Sequence, residues 1–354
     1  MPFRLLCALL VAAVAVGCGS SSDEADTEVP SPPATETGSP SAGGPPSETG
    51  SSTPVQLEVT EVARDLETVW SLAWDPEGRL WYTERQGRLG RLDGPTTDVE
   101  GVVENGEAGL MGLEIDGEGR VFLMYTAADE NRVVRLEPDG SQTVLVDGIT
   151  PGGIHDGGRI RLGPDGSLYV STGDAGSSDL AQDPESLNGK ILQVDPETGE
   201  MSIFSTGHRN AQGLCFAPDG RFYSTEHGPS EGDEINLLTE GSNGGWPEVV
   251  GNGLQNYTPT IAPAGCAYYD ADLIPQWRGS LLFVTLKDQS LRRLTLAEDG
   301  SVTGEEVLIQ GDFGRLRDVA VGPDGAVYLA TSNHDGRGDP KDGDDRILRI
   351  APAS

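Results

Sequence analysis

Positive charge is what this sequence has least of. Lysine and arginine together number 24 against 57 aspartates and glutamates, for a net charge of −33, and the only lysines are Lys190, Lys287 and Lys341. Such a surface repels nucleic acid and anionic lipid, which excludes both as partners of the folded region. Any place where arginine and lysine gather in it therefore asks for an explanation. Aromatic residues are also scarce, at 6%, beside 49 glycines and 24 prolines. That balance excludes long helices and favours many short elements joined by tight turns. Hydrophobic residues make up 36% of the chain, enough for a sizeable core, so disorder throughout is excluded as well.

Long apolar runs are missing except at the start. "MPFRLLCALLVAAVAVGCGSSS" has one early cation at Arg4, an apolar stretch to Val16 and small residues ending at Cys18. The run is short for a membrane span and has the layout of an export signal over residues 1–18. "AVGC" resembles a bacterial lipoprotein processing site, with Cys18 as the residue that receives lipid. An ordinary secretory signal and a retained anchor are the alternatives. On the lipoprotein reading the protein is exported, sits on the outer face of the cell membrane, and meets the membrane through its lipid alone. Residues 19–54 are mostly Ser, Pro, Thr, Gly and Glu without one aromatic, a composition that cannot offset its ordering entropy and reads as a tether. Outside the cytoplasm disulfides can form. With Cys7 lost and Cys18 lipidated, Cys215 and Cys266 remain, read as small buried residues with pairing as the alternative.

Residues 55–354 repeat one unit: an apolar stretch, an Asp-Gly type turn, and a strand that opens on an aromatic or branched residue. The copies are "SLAWDPEGRLWYTE", "GLEIDGEGRVFLMYT", "IRLGPDGSLYVSTGD", "LCFAPDGRFYSTEHG" and "VAVGPDGAVYLATSN", with "CAYYDADLIPQWRGSLLFVTLKD" as a degenerate sixth. Each is a hairpin. Taking Asp75, Asp116, Asp165, Asp219, Asp270 and Asp324 as markers, the spacings are 41, 49, 54, 51 and 54 residues. That is the length of a four-stranded propeller blade with variable loops. Outer strands recur between copies, as in "RVVRLEPDG" and "RILRIAP". Six units predict an all-β, six-bladed β-propeller, with "QLEVTEVA" completing the blade that contains the C-terminus. A pair of β-sandwiches is the runner-up and leaves the even repetition unexplained.

Polar residues cluster just before or after the hairpins. These stretches are "GGIHDGGRIRLGPDG" with His155, "GHRNAQG" with Arg209 and Asn210, "TLKDQSLRRL" with Lys287, and "GDFGRLRDVAVGPDG" with Arg315 and Arg317. Equivalent positions in a repeat project to equivalent places, so His155, Arg209 and the Arg315/Arg317 pair, each just before an apolar strand, are expected to converge on one face. Converging cations in so acidic a chain point to an anionic ligand, and a neutral histidine beside them can act as a general base. Taken singly, a loop histidine is more commonly structural and scattered arginines commonly pair with surface carboxylates. In "EHGPSEGDEINLL", Gly228 and Pro229 can aim carbonyls at a hard cation, with Glu231, Asp233 and Glu234 as nearby carboxylates. The alternative is a solvated acidic turn, and the Asp-rich "HDGRGDPKDGDDRI" reads as a long polar loop.

In combination these motifs resemble the glucose/sorbosone dehydrogenase family, six-bladed propellers that use pyrroloquinoline quinone (PQQ) and calcium, and most of all its aldose sugar dehydrogenases. The resemblance runs from about Val59 to Ile350 and rests on "GLMGLEI", "HDGGRIRLGPDGSLYVSTGD", "GHRNAQGL", "EHGPSEGDEINLL", "GGWP", "PTIAPAGCAYY", "LKD" and "RLRDVAVGPDG", all in the family's order. It implies oxidation of an aldose at the anomeric carbon to the lactone, with electrons passing to an external acceptor. His155 falls on the family's catalytic base, and Arg209 on the arginine beside quinone and sugar. Asn210, Thr260, Lys287, Arg315 and Arg317 fall on cofactor contacts, and Gly228 and Pro229 on carbonyl ligands of the quinone-bound calcium. Glu234 and the Gly244 carbonyl match a second, structural calcium site, with Asp233 beside it. Glu107 stands where relatives carry a glutamine near the sugar, no sugar-stacking tryptophan stands near Thr258, and the loop after "STGDAG" is short. These departures bear on the substrate and not on the cofactor. Two other readings use the same fold: a carbohydrate- or partner-binding propeller, and a calcium-dependent lactonase.

Overall fold

The structure, a computed structural model, describes residues 55–353. The expected signal over 1–18, the lipid site at Cys18 and the tether over 19–54 lie outside the described residues. Among those residues no helix is long and apolar enough to cross a membrane.

The chain first lays down β1 (Leu57–Ala63) and then builds blade 1 from β2 (Val69–Trp74), β3 (Leu80–Glu84), β4 (Arg88–Arg91) and β5 (Thr97–Asp98). Blade 2 takes β6 (Leu110–Ile115), β7 (Val121–Thr126), β8 (Asn131–Leu136) and β9 (Gln142–Ile149). Blade 3 takes β10 (Ile160–Leu162), β11 (Leu168–Ser171), β12 (Lys190–Val194) and β13 (Met201–Thr206). Blade 4 consists of β14 (Ala211–Phe216), β15 (Phe222–Glu226), β16 (Asp233–Leu238) and β17 (Gln255–Tyr257). Blade 5 consists of β18 (Pro263–Tyr269), β19 (Ser280–Thr285), β20 (Ser290–Leu296) and β21 (Val302–Gln310). In blade 6, β22 (Leu316–Val321), β23 (Val327–Thr331) and β24 (Ile347–Pro352) are completed by β1. β1 runs antiparallel to β24, from Leu57 opposite Pro352 to Ala63 opposite Ile347, and so ties the two ends of the domain together.

The first strands touch one another in a closed ring, β2 to β6, β10, β14, β18, β22 and back to β2. That closure is the propeller expected from the repeat, and it leaves no sheet edge at the centre. The "outer" motifs of the sequence turn out to be third strands; the fourth lies outside them and carries little pattern of its own. In blades 1 and 2 the marker aspartates start the turn, where Asp75 and Asp116 each accept from backbone N–H groups two and four residues on. In blades 3, 4 and 6 the aspartate instead stands directly before the turn glycine. The core lies between blades. Trp70, Met111, Phe122 and Ile160, drawn from blades 1, 2 and 3, are fully buried in one cluster, each worth roughly 1.5–3 kcal/mol on removal from water.

Cys215 and Cys266 are buried, as expected, and they are bonded to each other with Cα atoms 5.9 Å apart, which corrects the reading of two small free cysteines. The reason is the repeat. They stand on β14 and β18, neighbouring first strands of the ring, one blade apart in sequence.

Candidate active site

Antiparallel blades send the hairpin turns to one face and the connections from second to third strand, and from blade to blade, to the other. His155, Arg209, Asn210, Thr260 and Arg315 lie between blades, with Arg317 at the start of β22, while Gly228, Pro229 and Lys287 lie between second and third strands. They converge as expected, around one cavity of about 380 Å³ at the mouth of the central channel. Glu107 and Asp233 line it too. His227 lines it as well, and the sequence did not single out its other polar lining residues, Arg85, Gln212, Asp335 and Arg337.

His155 is held in the left-handed region, at φ 60°. Its carbonyl packs against Gly173 so closely that a Cβ there would overlap it, which ties the end of β11 to the histidine loop. The imidazole Nδ1 lies 2.8 Å from Asp174 Oδ1. Asp174 also accepts from Gly176 N at 2.8 Å and Trp246 Nε1 at 2.9 Å. Burial alone would raise its pKa, but the hydrogen bonds from His155, Gly176 and Trp246 hold it below the usual carboxylate range. An ionised Asp174 fixes the proton on Nδ1 and leaves Nε2 as an acceptor.

Arg315 and Arg317 are held by partners the sequence did not flag. Asp335 accepts from Arg315 Nε at 2.7 Å and Arg317 Nη2 at 3.2 Å. It comes from the Asp-rich segment read as a polar loop, and it is buried. Burial pushes Arg317 down to about 10 although Asp335 opposes the shift. Arg317 Nη1 also donates to Gln212 Oε1 at 2.8 Å. Lys287 Nζ donates to Thr260 Oγ1 at 2.7 Å. Of the other lysines, Lys190 is buried away from the cavity on the carbonyls of Leu180, Ala181 and Asn188. Glu107 forms an ion pair with Arg337 and stands beside the His155 backbone.

The lining residues fit a compact polyanion. Arg85, Arg209, Lys287, Arg315, Arg317 and Arg337 face Glu107, Asp233 and Asp335, a surplus of three positive charges. Arg209 Nε and His227 Nε2 are buried without a protein partner. Burial, with the charges of Arg317 and Arg209, pushes His227 down to about 3, so its ring is neutral.

A cation is a different matter, since no group of three or more His, Cys, Asp or Glu side chains is placed for a metal among the described residues. The turn at Gly228 is packed against backbone oxygens: a Cβ there would run into the carbonyls of Glu231 and Gly232. Asp233 is spent on the N–H groups of Gly228, Ile261 and Ala262 at 2.6–2.7 Å. Glu234 and Gly244 sit apart, on a second pocket of about 10 Å³ shared with Glu226, which is the scale of one small ion or water. Burial and the Glu226 charge both raise the Glu234 pKa, the state a cation would relieve. His208 is buried between Ser205 and Glu226, where it orients that carboxylate.

The sequence matches the Glucose / Sorbosone dehydrogenase family over residues 66–257 and 250–339. It is 27% identical to the aldose sugar dehydrogenase YliI of Escherichia coli, over 84% of this chain and 94% of the relative. With the quinoprotein glucose dehydrogenase B of Acinetobacter calcoaceticus it shares 26% identity over 54% of this chain and 52% of that one. The fold superposes on the PQQ-bound aldose sugar dehydrogenase of Streptomyces coelicolor with a TM-score of 0.76, at 35% identity, covering 85% of this chain and 99% of the other.

Proposed function

The chain belongs to the glucose/sorbosone dehydrogenase family, and from that premise we propose that it oxidises an aldose at the anomeric carbon to the lactone, with PQQ and calcium as cofactors. The observation that carries this reading is the surplus of three positive charges converging beside the His155–Asp174 pair. PQQ has three carboxylates, so Lys287, Arg315 and Arg317 are the residues to hold them, with Thr260 and Asn210 as further contacts. The Gly228 and Pro229 carbonyls are the ligands for one calcium, and Glu234 with Gly244 for a second, structural one. When bound, the quinone supplies a two-electron acceptor and calcium a Lewis acid.

The protein's own part is to bind, orient and move a proton. His155 Nε2 takes the proton of the anomeric hydroxyl, and Asp174 stabilises the imidazolium that results. Arg209, whose carbonyl accepts from Asp174 N, orients the sugar beside the base. Glu107, engaged by Arg337, can accept hydrogen bonds from sugar hydroxyls but not donate them. Electrons leave to an external acceptor. The cation set separates this reading from a lactonase or a plain binding propeller, neither of which needs it. Export and lipid attachment at Cys18 complete the proposal, and the Cys215–Cys266 bond is what an oxidising compartment permits.

The test mixes cofactor-free protein with PQQ and calcium and follows reduction of an artificial electron acceptor across a panel of aldoses. Dye reduction that requires PQQ and sugar together is expected. A correctly folded protein that reduces no dye with any aldose would sink the assignment.

A further inference from the structure

Trp246 lies in the connection from β16 to β17, in blade 4, yet its contacts are with residues of two different loops of the site. Its indole Nε1 donates to Asp174 Oδ2 at 2.9 Å, across the boundary between blades 3 and 4. The other oxygen of that carboxylate is the one that meets His155 Nδ1, at 2.8 Å. The indole also faces the Arg209 guanidinium, whose Cζ lies 5.3 Å from the ring centroid. Asp174 N in turn donates to the Arg209 carbonyl at 2.9 Å. Trp246 itself is pinned on both sides of its peptide unit, its N–H to Gly207 O at 3.1 Å and its carbonyl to Gln182 Nε2 at 2.6 Å. It does not line the main cavity.

We propose that Trp246 is a positioning residue that holds the base His155 and the arginine Arg209 in one fixed relation, through a single indole that bonds one and stacks on the other. This rests on the assignment of His155 as base. A carboxylate with two free oxygens can swing about its Cβ–Cγ bond; one anchored by Trp246 on Oδ2 and Gly176 on Oδ1 cannot, so the imidazole it meets has one orientation. The face of the same indole limits where the guanidinium can go. Phenylalanine at this position keeps a face for Arg209 and deletes the donor, which separates the two roles.

The experiment uses Trp246→Phe and Trp246→Ala in the full chain, read in two ways. With PQQ and calcium present, Trp246→Phe should lower kcat roughly ten- to hundredfold with KM little changed, and Trp246→Ala should weaken PQQ binding as well. In cofactor-free protein, proton NMR should show a downfield, exchange-protected His155 Nδ1–H signal, assignable among only four histidines. That signal should broaden or vanish in Trp246→Phe. A wild-type kcat together with an unchanged ring N–H signal overturns the proposal. Should the variants not fold, the indole Nε1–H resonance of Trp246 in Asp174→Asn replaces them, and a resonance that does not move overturns it equally. Failure of the wild type to oxidise any aldose would count against the dehydrogenase activity, while the NMR readings, which need no cofactor, still decide the role of Trp246.

Discussion

Asp335 and Arg315 form an ion pair in the wall of the cavity, 2.7 Å from Oδ2 to Nε, with the carboxylate almost wholly out of solvent. Arg317 shares the same oxygen at 3.2 Å. Burial alone would raise the Asp335 pKa, but the charges of Arg317 and Arg315 outweigh it and keep the group ionised. Asp335→Asn leaves two buried guanidiniums facing each other without their counter-charge, at a cost of about 2–4 kcal/mol. Urea unfolding reads this directly. Because PQQ carboxylates would return the missing charge, adding PQQ and calcium should stabilise the variant more than the wild type. An Asn variant as stable as the parent contradicts the pairing.

His155→Ala removes the acceptor nitrogen and none of the cations. Turnover should fall by about 10²–10⁴, while PQQ affinity, measured by titration of the cofactor-free protein, stays close to the parent value. Collapsed cofactor affinity with turnover preserved at saturation would mean that His155 is a cofactor contact and not the base.

What the sequence made legible follows the repeat. The hairpins, the count of blades and the closure by residues 57–63 could all be read, because turn chemistry and alternation are local. The fourth strands of blades 1 and 4 could not: β5 is two residues and β17 three, too short to carry a period. The same division holds at the site. His155, Arg209, Lys287, Arg315 and Arg317 stand at repeated points of the blade and were found. Their partners Asp174, Trp246 and Asp335 were given no role, although Asp174 and Trp246 stand in motifs quoted for the resemblance. Trp246 meets Asp174 across 72 residues and a blade boundary, and Asp335 lies in an acidic stretch whose composition looks solvated.

Asp156 gives a pH dependence with a definite sign. Burial pushes its carboxyl from 3.8 up to about 6. Oδ1 accepts from Asn131 and Gly152, and Oδ2 is buried without a partner. The folded state therefore holds a proton between about pH 4 and 6 that the unfolded chain has released, so this group's contribution to stability falls as pH rises through that window. Asp156→Asn removes the penalty. It should stabilise the protein by about 1–3 kcal/mol at pH 8 and change little near pH 3.5, the amide nitrogen still lacking a partner. Denaturation curves at the two pH values test this, and an equal effect at both contradicts the burial of a charge.

The Cys215–Cys266 bond closes a loop of 51 residues, one full blade, between adjacent strands of the inner ring. Constraint of the unfolded chain by a loop of that length is worth about 4 kcal/mol in the chain-entropy account. Both residues are buried, so replacing them with alanine also leaves a small void in the cluster that holds Tyr223 and Phe283. The Cys215→Ala, Cys266→Ala double variant should lose about 3–5 kcal/mol, and unfolding of the parent in reductant should approach the same value. The ligand loops leave the strands at the opposite end from the hairpin turns, and the bond spans strand interiors, so the reduced protein that remains folded should keep its PQQ affinity. Cofactor binding lost in step with the disulfide, while the fold persists, would show that the bond orders the cavity and not the ring alone.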